Sequence, residues 1–347
     1  MYAYVFKPEW LEVLKLELEL AGAQIINQTD TLFLVEHEVF PAPAFCIDIW
    51  PDVQKRTFES INQAAEILKK AGKIWSHYPI SHVRRAELIQ EKLRTAKKFS
   101  PISFPLSPEL ETHLRSVSVF SLLDQNQLIF CEHAENIIPG GVYEFVENKT
   151  IPPNRAYLKL WEALIYFGET PEKNNVCMDL GACPGGWTWV LQSFGSKVIA
   201  VDKAPLDKNI SQLPGVYFLE QSAFALDFKN LACLNFVSQF AGEGRKNHAL
   251  VSPLAGETGQ RAVVLLGREG VIDLLVCDIA CYPDKLLTQL LKWIESGKIK
   301  KIISTIKLQG QIDEKILEDL NNFKNIPNIK IKQLWQNKHE LTLFWRA

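Results

Sequence analysis

The sequence predicts an α/β protein in which an α+β amino-terminal region precedes a mostly parallel sheet, covered by helices on both faces, with its last strand reversed. Three observations predict this. Strand and helix patterns alternate after residue 150, the signature of parallel strands joined by crossover helices. The stretch Ile151-Pro152-Pro153-Asn154 marks a boundary, because proline interrupts regular structure and stiffens a linker. The last two apolar runs are joined only by Trp335 to Glu340. A parallel crossover needs about a dozen residues or more, so these two strands should form an antiparallel hairpin.

The amino-terminal elements follow from local pattern. Tyr2 to Phe6 reads as a short strand, Trp10 to Ala23 as a helix and Thr31 to Glu36 as a strand. Val53 to Gly72 and His82 to Lys98 read as helices. Val117 to Leu122 and Gln127 to Glu132 bracket Asp124-Gln125-Asn126, a hairpin turn. In the second half, strands are expected at Val176–Leu180, Lys197–Val201, Val216–Leu219, Val271–Ile279, Lys300–Lys307, Ile329–Leu334 and Leu341–Trp345. Helices are expected at Gly186–Phe194, Pro283–Ser296 and Asp313–Phe323. The domains predicted are therefore 1–150 and 151–347.

Bulk properties narrow the class. Of 347 residues, 47% are hydrophobic and 22% charged, which is ordinary globular composition. A net charge of -2 gives no general affinity for nucleic acid, so any such surface must be a local patch. The seven cysteines are scattered without a Cys-x-x-Cys pair. No metal is expected, and reduced thiols in a cytoplasmic setting are. The start, MYAYVFKPEW, lacks the basic and apolar regions of a signal peptide. No apolar run is long enough to span a bilayer.

The sharpest motif is Asp179-Leu180-Gly181-Ala182-Cys183-Pro184-Gly185-Gly186-Trp187-Thr188, between an expected strand and an expected helix. Small residues there let the backbone approach a ligand, and the helix start presents free amides. Asp202 ends the next strand, where an acid accepts hydrogen bonds from the ribose of an adenosine cofactor. A nicotinamide site would call for Gly-x-Gly-x-x-Gly, whereas here the spacing is Gly-x-x-x-Gly-Gly. That favours S-adenosylmethionine (SAM), which has no pyrophosphate to cradle. The expected cofactor contacts are Gly181, Cys183, Pro184, Gly185, Gly186, Trp187, Asp202, Ser222 and Asp278. The plain alternative is a strand-to-helix turn with no ligand.

This loop resembles that of the FtsJ-type ribose 2′-O-methyltransferases, in particular those that modify 23S ribosomal RNA in bacteria. Asn154 to Ala163 resembles the segment upstream of their loop. Val276-Cys277-Asp278-Ile279, Ile306-Lys307-Leu308 and Asn337-Lys338-His339-Glu340-Leu341-Thr342 resemble their later motifs. The likeness covers most of 150–347 and is weaker over 1–150. It implies a Rossmann-like SAM methyltransferase domain after a ferredoxin-like piece and a THUMP-like RNA-binding module. It also implies RNA as partner, 23S ribosomal RNA or its precursor, with a cytidine as target.

The family works with a Lys-Asp-Lys-Glu tetrad, matched here by Lys159, Asp278, Lys307 and Glu340. The chemistry suits these residue types. A ribose hydroxyl is a poor nucleophile until its proton leaves, and the methyl of SAM is already activated. The protein must therefore align the groups and remove a proton. The resemblance implies that Lys307 is the general base, its pKa lowered by the neighbouring lysine. Asp278 would orient it, and Lys159 and Glu340 would position the hydroxyl. Taken singly, each charge could instead be a solvated residue, and Asp278 a helix N-cap.

Some positions depart from the family pattern. Ser222 stands where relatives carry an acid, and Ala156 where they carry a serine. The stretch Lys229–Gly270 is longer than theirs. Arg84, Arg85, Lys92, Arg94, Lys97 and Lys98 are candidate phosphate contacts, with a solvated helix face as the alternative. Trp50, Trp75, His77 and Tyr78 are candidate stacking platforms, with core packing as the favoured reading. Two other functions stay open: a SAM methyltransferase acting on another substrate, and a catalytically silent RNA-binding protein.

Overall fold

The computed structural model describes residues 1–93, 101–226, 271–310 and 312–347. The chain divides into two compact units. The first comprises Met1–Val146 with Ile312–Asn321 and Lys332–Lys338; the second comprises Glu147–Gln311, Asn322–Ile331 and His339–Ala347.

The first unit carries two four-stranded sheets. One is built from β1 (Tyr2–Val5), β2 (Ile25–Gln28), β3 (Leu32–Val35) and β4 (Asp48–Trp50), in the order β2-β3-β1-β4, with α1 (Leu11–Leu20) between β1 and β2. Strand β1 is antiparallel to both of its neighbours. The expected ferredoxin-like pattern is β-α-β-β-α-β, and the second helix is missing here. The connection from β3 to β4 contains Pro41 and Pro43, which cannot sit in a helix interior.

The other sheet joins β5 (Gln54–Thr57), β6 (Trp75–His77), β7 (Ser118–Asp124) and β8 (Gln127–Cys131) in the order β5-β8-β7-β6. Around it lie α2 (Ile61–Ala71), α3 (Val83–Gln90) and α4 (Pro108–Leu114). The hairpin of β7 and β8 forms as expected, pairing Asp124 with Gln127. The single helix expected over Val53–Gly72 is corrected to strand then helix. Gln54 to Thr57 pair with Phe130 to Gln127, and helix begins only after Ser60, whose side chain accepts the Gln63 amide. The expected helix from His82 ends at Gln90, and residues 94–100 lie outside the described residues. Trp50, Trp75 and Tyr78 are core residues, the favoured reading, which leaves them unavailable for stacking on RNA. Trp50 meets Tyr78 edge-on at 5.7 Å. His77 lies against Phe120 at 5.4 Å.

The second unit is built on a seven-stranded sheet. In chain order its strands are β9 (Val176–Leu180), β10 (Lys197–Asp202), β11 (Val216–Glu220), β12 (Leu274–Cys277), β13 (Lys301–Lys307), β14 (Ile329–Lys332) and β15 (Glu340–Arg346). Across the sheet the order is β11-β10-β9-β12-β13-β15-β14. The first five pair in parallel, and β15 is antiparallel to β13. This is the mostly parallel sheet with a reversed strand near its edge that the sequence predicts.

The order reverses beside β9, so β10 and β12 flank it on opposite sides. Such a switch opens a crevice at the carboxyl ends of the strands, where ligands bind in open α/β sheets. Every residue of β9 and β12 is buried, as expected for strands covered on both faces.

The helices of this unit are α5 (Tyr157–Phe167), α6 (Gly186–Ser193), the short α7 (Lys208–Ser211) and α8 (Pro283–Glu295), while α9 (Glu314–Lys324) has its residues up to Asn321 in the first unit and the rest in the second. In α8 the buried residues are Leu286, Leu287, Leu290 and Trp293, one stripe at helical spacing. Leu275 is wholly buried in β12. Leu275→Ala should lower unfolding free energy in urea by about 2–5 kcal/mol, the usual cost of a core cavity.

Candidate active site

The loop 181–185 leaves the carboxyl end of β9, and α6 follows it at once. Gly181 has φ +78°, and a Cβ there would stand 2.9 Å from Ile279 Cγ1 and 3.2 Å from the Ile279 backbone. Only glycine fits that turn. The loop is tied to β10: the amides of Gly181 and Ala182 both donate to the Val201 carbonyl. Asp202 Oδ2 accepts the Cys183 amide and Oδ1 the Ala204 amide, each at 3.0 Å.

Each Asp202 oxygen retains lone-pair capacity for a ribose hydroxyl. No lysine or arginine lies within 181–188, which suits a ligand without pyrophosphate. Asp179 is fully buried at the end of β9 and accepts the Thr188 hydroxyl at 2.6 Å. Among the described residues its Oδ1 has no hydrogen-bond partner. Burial pushes its carboxyl up to about 7 against the Thr188 hydrogen bond.

Of the other expected cofactor residues, Cys183 is exposed. Gly185 and Gly186 open α6. Trp187 is buried, with its indole N–H donating to the Ala156 carbonyl at 2.8 Å, so its side chain is spent on an internal contact. Ser222 follows β11 and precedes a 3-10 turn without capping it by its side chain.

The four expected tetrad residues meet. Lys159 stands in the first turn of α5, and Asp278 directly follows β12. Lys307 ends β13 and Glu340 begins β15. Antiparallel pairing sets Lys307 directly opposite Glu340. Lys159 Nζ lies 2.9 Å from Asp278 Oδ2 and 3.1 Å from Glu340 Oε1. Lys307 donates to both Asp278 and Glu340. The side chains are largely shielded, from 7% exposed for Glu340 to 21% for Lys307.

The electrostatics correct one expectation. Burial pulls the Lys307 ammonium down, but Asp278 and Glu340 together outweigh it, and its pKa stands above the usual lysine value. At rest the carboxylates hold the proton that a general base must be free of. Burial likewise pushes the Asp278 carboxyl up, yet Lys159 and Lys307 bring it below the usual carboxylate value. Asp278 is not a helix cap, since Tyr282 occupies the N-cap of α8.

Sequence reasoning missed Thr305, whose hydroxyl donates to Asp278 Oδ1 at 2.6 Å. The signal was present, because Thr305 stands two residues before Lys307 in β13 and so shares its face of the strand.

The sequence profile of the FtsJ-like methyltransferase family matches residues 152–327, just over half of the chain. The chain belongs to the FtsJ-like methyltransferase family. The cofactor that goes with this membership is SAM.

Among curated relatives, the ribosomal RNA large subunit methyltransferase M of Laribacter hongkongensis is 25% identical over 211 residues, covering 56% of this chain and 48% of the relative. The protein of the same name from Shewanella woodyi is 27% identical over 208 residues, covering 55% and 47%. The chain thus spans about half the length of the curated relatives it matches. Among solved structures, Burkholderia thailandensis 1,6-didemethyltoxoflavin-N1-methyltransferase aligns with TM-score 0.32 and 16% identity, over 56% of this FtsJ-like chain and 77% of the other.

Asp202 anchors the loop, and its expected contact with the ribose of SAM is open to test by substitution. Asp202→Ala should weaken SAM binding about tenfold or more, the loss expected for hydrogen bonds to a charged acceptor. Titration calorimetry showing unchanged affinity would refute the contact.

Proposed function

We propose that this FtsJ-like protein transfers the methyl group of SAM to a ribose 2′-hydroxyl of 23S ribosomal RNA or its precursor, at a cytidine. The observation that carries the reading is the meeting of Lys159, Asp278, Lys307 and Glu340 at the carboxyl edge of the sheet. Two lysines held between two acids have a use where a hydroxyl proton must be removed; a site that only bound RNA would not need them. The names of the curated relatives support ribosomal RNA as the substrate class.

Bound SAM supplies an activated methyl group, and the protein supplies alignment and a proton acceptor. Lys307 is the base in this reading. Since Asp278 and Glu340 stabilise its protonated form, it must first release that proton to solvent. Asp278 fixes the amine through Oδ1, which Thr305 also holds. Lys159 balances the second carboxylate charge and leaves the cluster neutral, two positive against two negative charges.

The first unit is the RNA-binding region in this reading, a THUMP-like module for the sheet of β5 to β8. Arg84 and Lys92 are exposed, and the Arg85 guanidinium lies 5.3 Å over the Phe58 ring. These three are phosphate contacts in the proposal. The other candidates, Arg94, Lys97 and Lys98, fall outside the described residues, as does the long Lys229–Gly270 stretch.

Tritiated SAM with unmodified 23S ribosomal RNA tests the reading. Wild type should leave alkali-resistant label, because a 2′-methoxy group blocks backbone cleavage, and Lys307→Ala should leave none while still binding SAM. Label on protein, or a fully active Lys307→Ala, would overturn it. A second outcome concerns pH. The rate should rise with pH as Lys307 loses its proton. Glu340→Gln removes one of the influences that raise its pKa, so the rising limb should move to lower pH. A limb that stays in place would remove Lys307 from the role of base.

A further inference from the structure

Trp187 belongs to the cofactor loop motif, yet its ring is buried and its indole N–H donates to the Ala156 carbonyl at 2.8 Å. That carbonyl has a second donor, the backbone amide of Lys159 at 3.1 Å. One acceptor therefore serves both the cofactor side of the site and the residue that carries the tetrad lysine.

A second contact joins the same segments. A Cβ on Gly186 would come within 2.6 Å of Asn154 Oδ1, so the start of α6 is pressed against the residues that lead into α5. Asn154 is itself fixed, its Oδ1 accepting the Ala156 amide at 3.0 Å. Tyr157 anchors the other side of the turn. Its hydroxyl accepts the Asn148 amide at 2.9 Å, and its ring meets Trp189 of α6 edge-on at 5.4 Å.

The first turn of α5 otherwise has weak support of its own. Its N-cap, Ala156, has no side chain able to cap, and a helix start leaves its first amides without intrahelical partners. Here the turn is closed by i+3 bonds, Leu158 to Arg155 and Lys159 to Ala156. The indole of Trp187 locks the carbonyl at the centre of that turn.

We infer that Trp187 is a positioning residue: through the Ala156 carbonyl it links the cofactor loop to Lys159, so that SAM in the loop steadies Lys159 in its place between Asp278 and Glu340. The inference deepens the proposed reaction and rests on it for its kinetic arm alone. An ordered ligand loop lowers the mobility of the segment bonded to it, and two sites coupled in this way share one free energy of ordering.

Hydrogen exchange tests the link without any RNA. In wild type, adding SAM should slow exchange of the Leu158 and Lys159 amides. In Trp187→Phe, which keeps an aromatic ring but removes the donor together with part of the indole's volume, those amides should exchange about tenfold faster, as expected for one lost hydrogen bond. There SAM should no longer slow them, although the loop still binds it. Gly186→Ala, which crowds Asn154, should give the same loss by another route.

The kinetic arm uses tritiated SAM and unmodified 23S ribosomal RNA. Trp187→Phe should lower kcat about tenfold and leave KM for RNA and Kd for SAM within about twofold. Exchange at Lys159 that ignores SAM in wild type, or that responds equally in Trp187→Phe, would overturn the inference. So would a kcat loss matched by an equal loss of SAM affinity. Failure of wild type to label RNA would count against the substrate reading and would leave the exchange result to decide the coupling.

Discussion

Two ammonium groups and two carboxylates meet where water is largely excluded, and each pair is tolerable only because the other is there. Removing one partner from such a cluster leaves an uncompensated charge and costs about 3–5 kcal/mol. Lys159 and Glu340 lie 181 positions apart in the chain, so no local propensity brings them together. The parallel strands, the helix that leads into them and the reversed strand must all be in register before the charges balance. Asp278 and Glu340 also hold the Lys307 proton in place.

The reversed strand explains how Glu340 reaches the site. Parallel strands bring only their carboxyl ends to the ligand edge. An antiparallel strand brings its amino end there, so the first residue of β15 lies across from the last residue of β13. The cofactor loop depends on the same edge. It leaves β9 beside the switch in strand order, and its amides are held by the carboxyl end of β10 through Val201 and Asp202. Beneath it Asp179, with a carboxyl pushed up to about 7, contributes polarity without a full charge at neutral pH.

Much of this was legible in the sequence, and the reasons differ by region. In the second unit the apolar runs are long and strongly patterned, and the strand expected at Val176–Leu180 coincides with β9. The four candidate site residues were legible only through the resemblance of their segments to the family's motifs, since each taken singly reads as a solvated charge. The first unit was harder to read. Strand β5, Gln54-Lys55-Arg56-Thr57, has no apolar alternation, and its pairing with β8 outweighs its composition. The connection with Pro41 and Pro43 likewise gave no hint of the strand order around it. The protonation preference of Lys307 was misjudged for another reason. The lysine-to-lysine effect could be inferred from residue types, but the strength of two carboxylates in direct contact depends on distances that no sequence pattern carries.

The pairing of Lys307 with Glu340 has a consequence for misfolding. A strand that slides by one residue turns every side chain to the opposite face. If β15 slipped against β13 in that way, apolar residues such as Leu341 and Leu343 would exchange places with their polar neighbours, and Glu340 would leave the lysines. Both the core and the charge balance would fail at once. Charge balance in the cluster thus depends on the same strand alignment as the packing of the sheet.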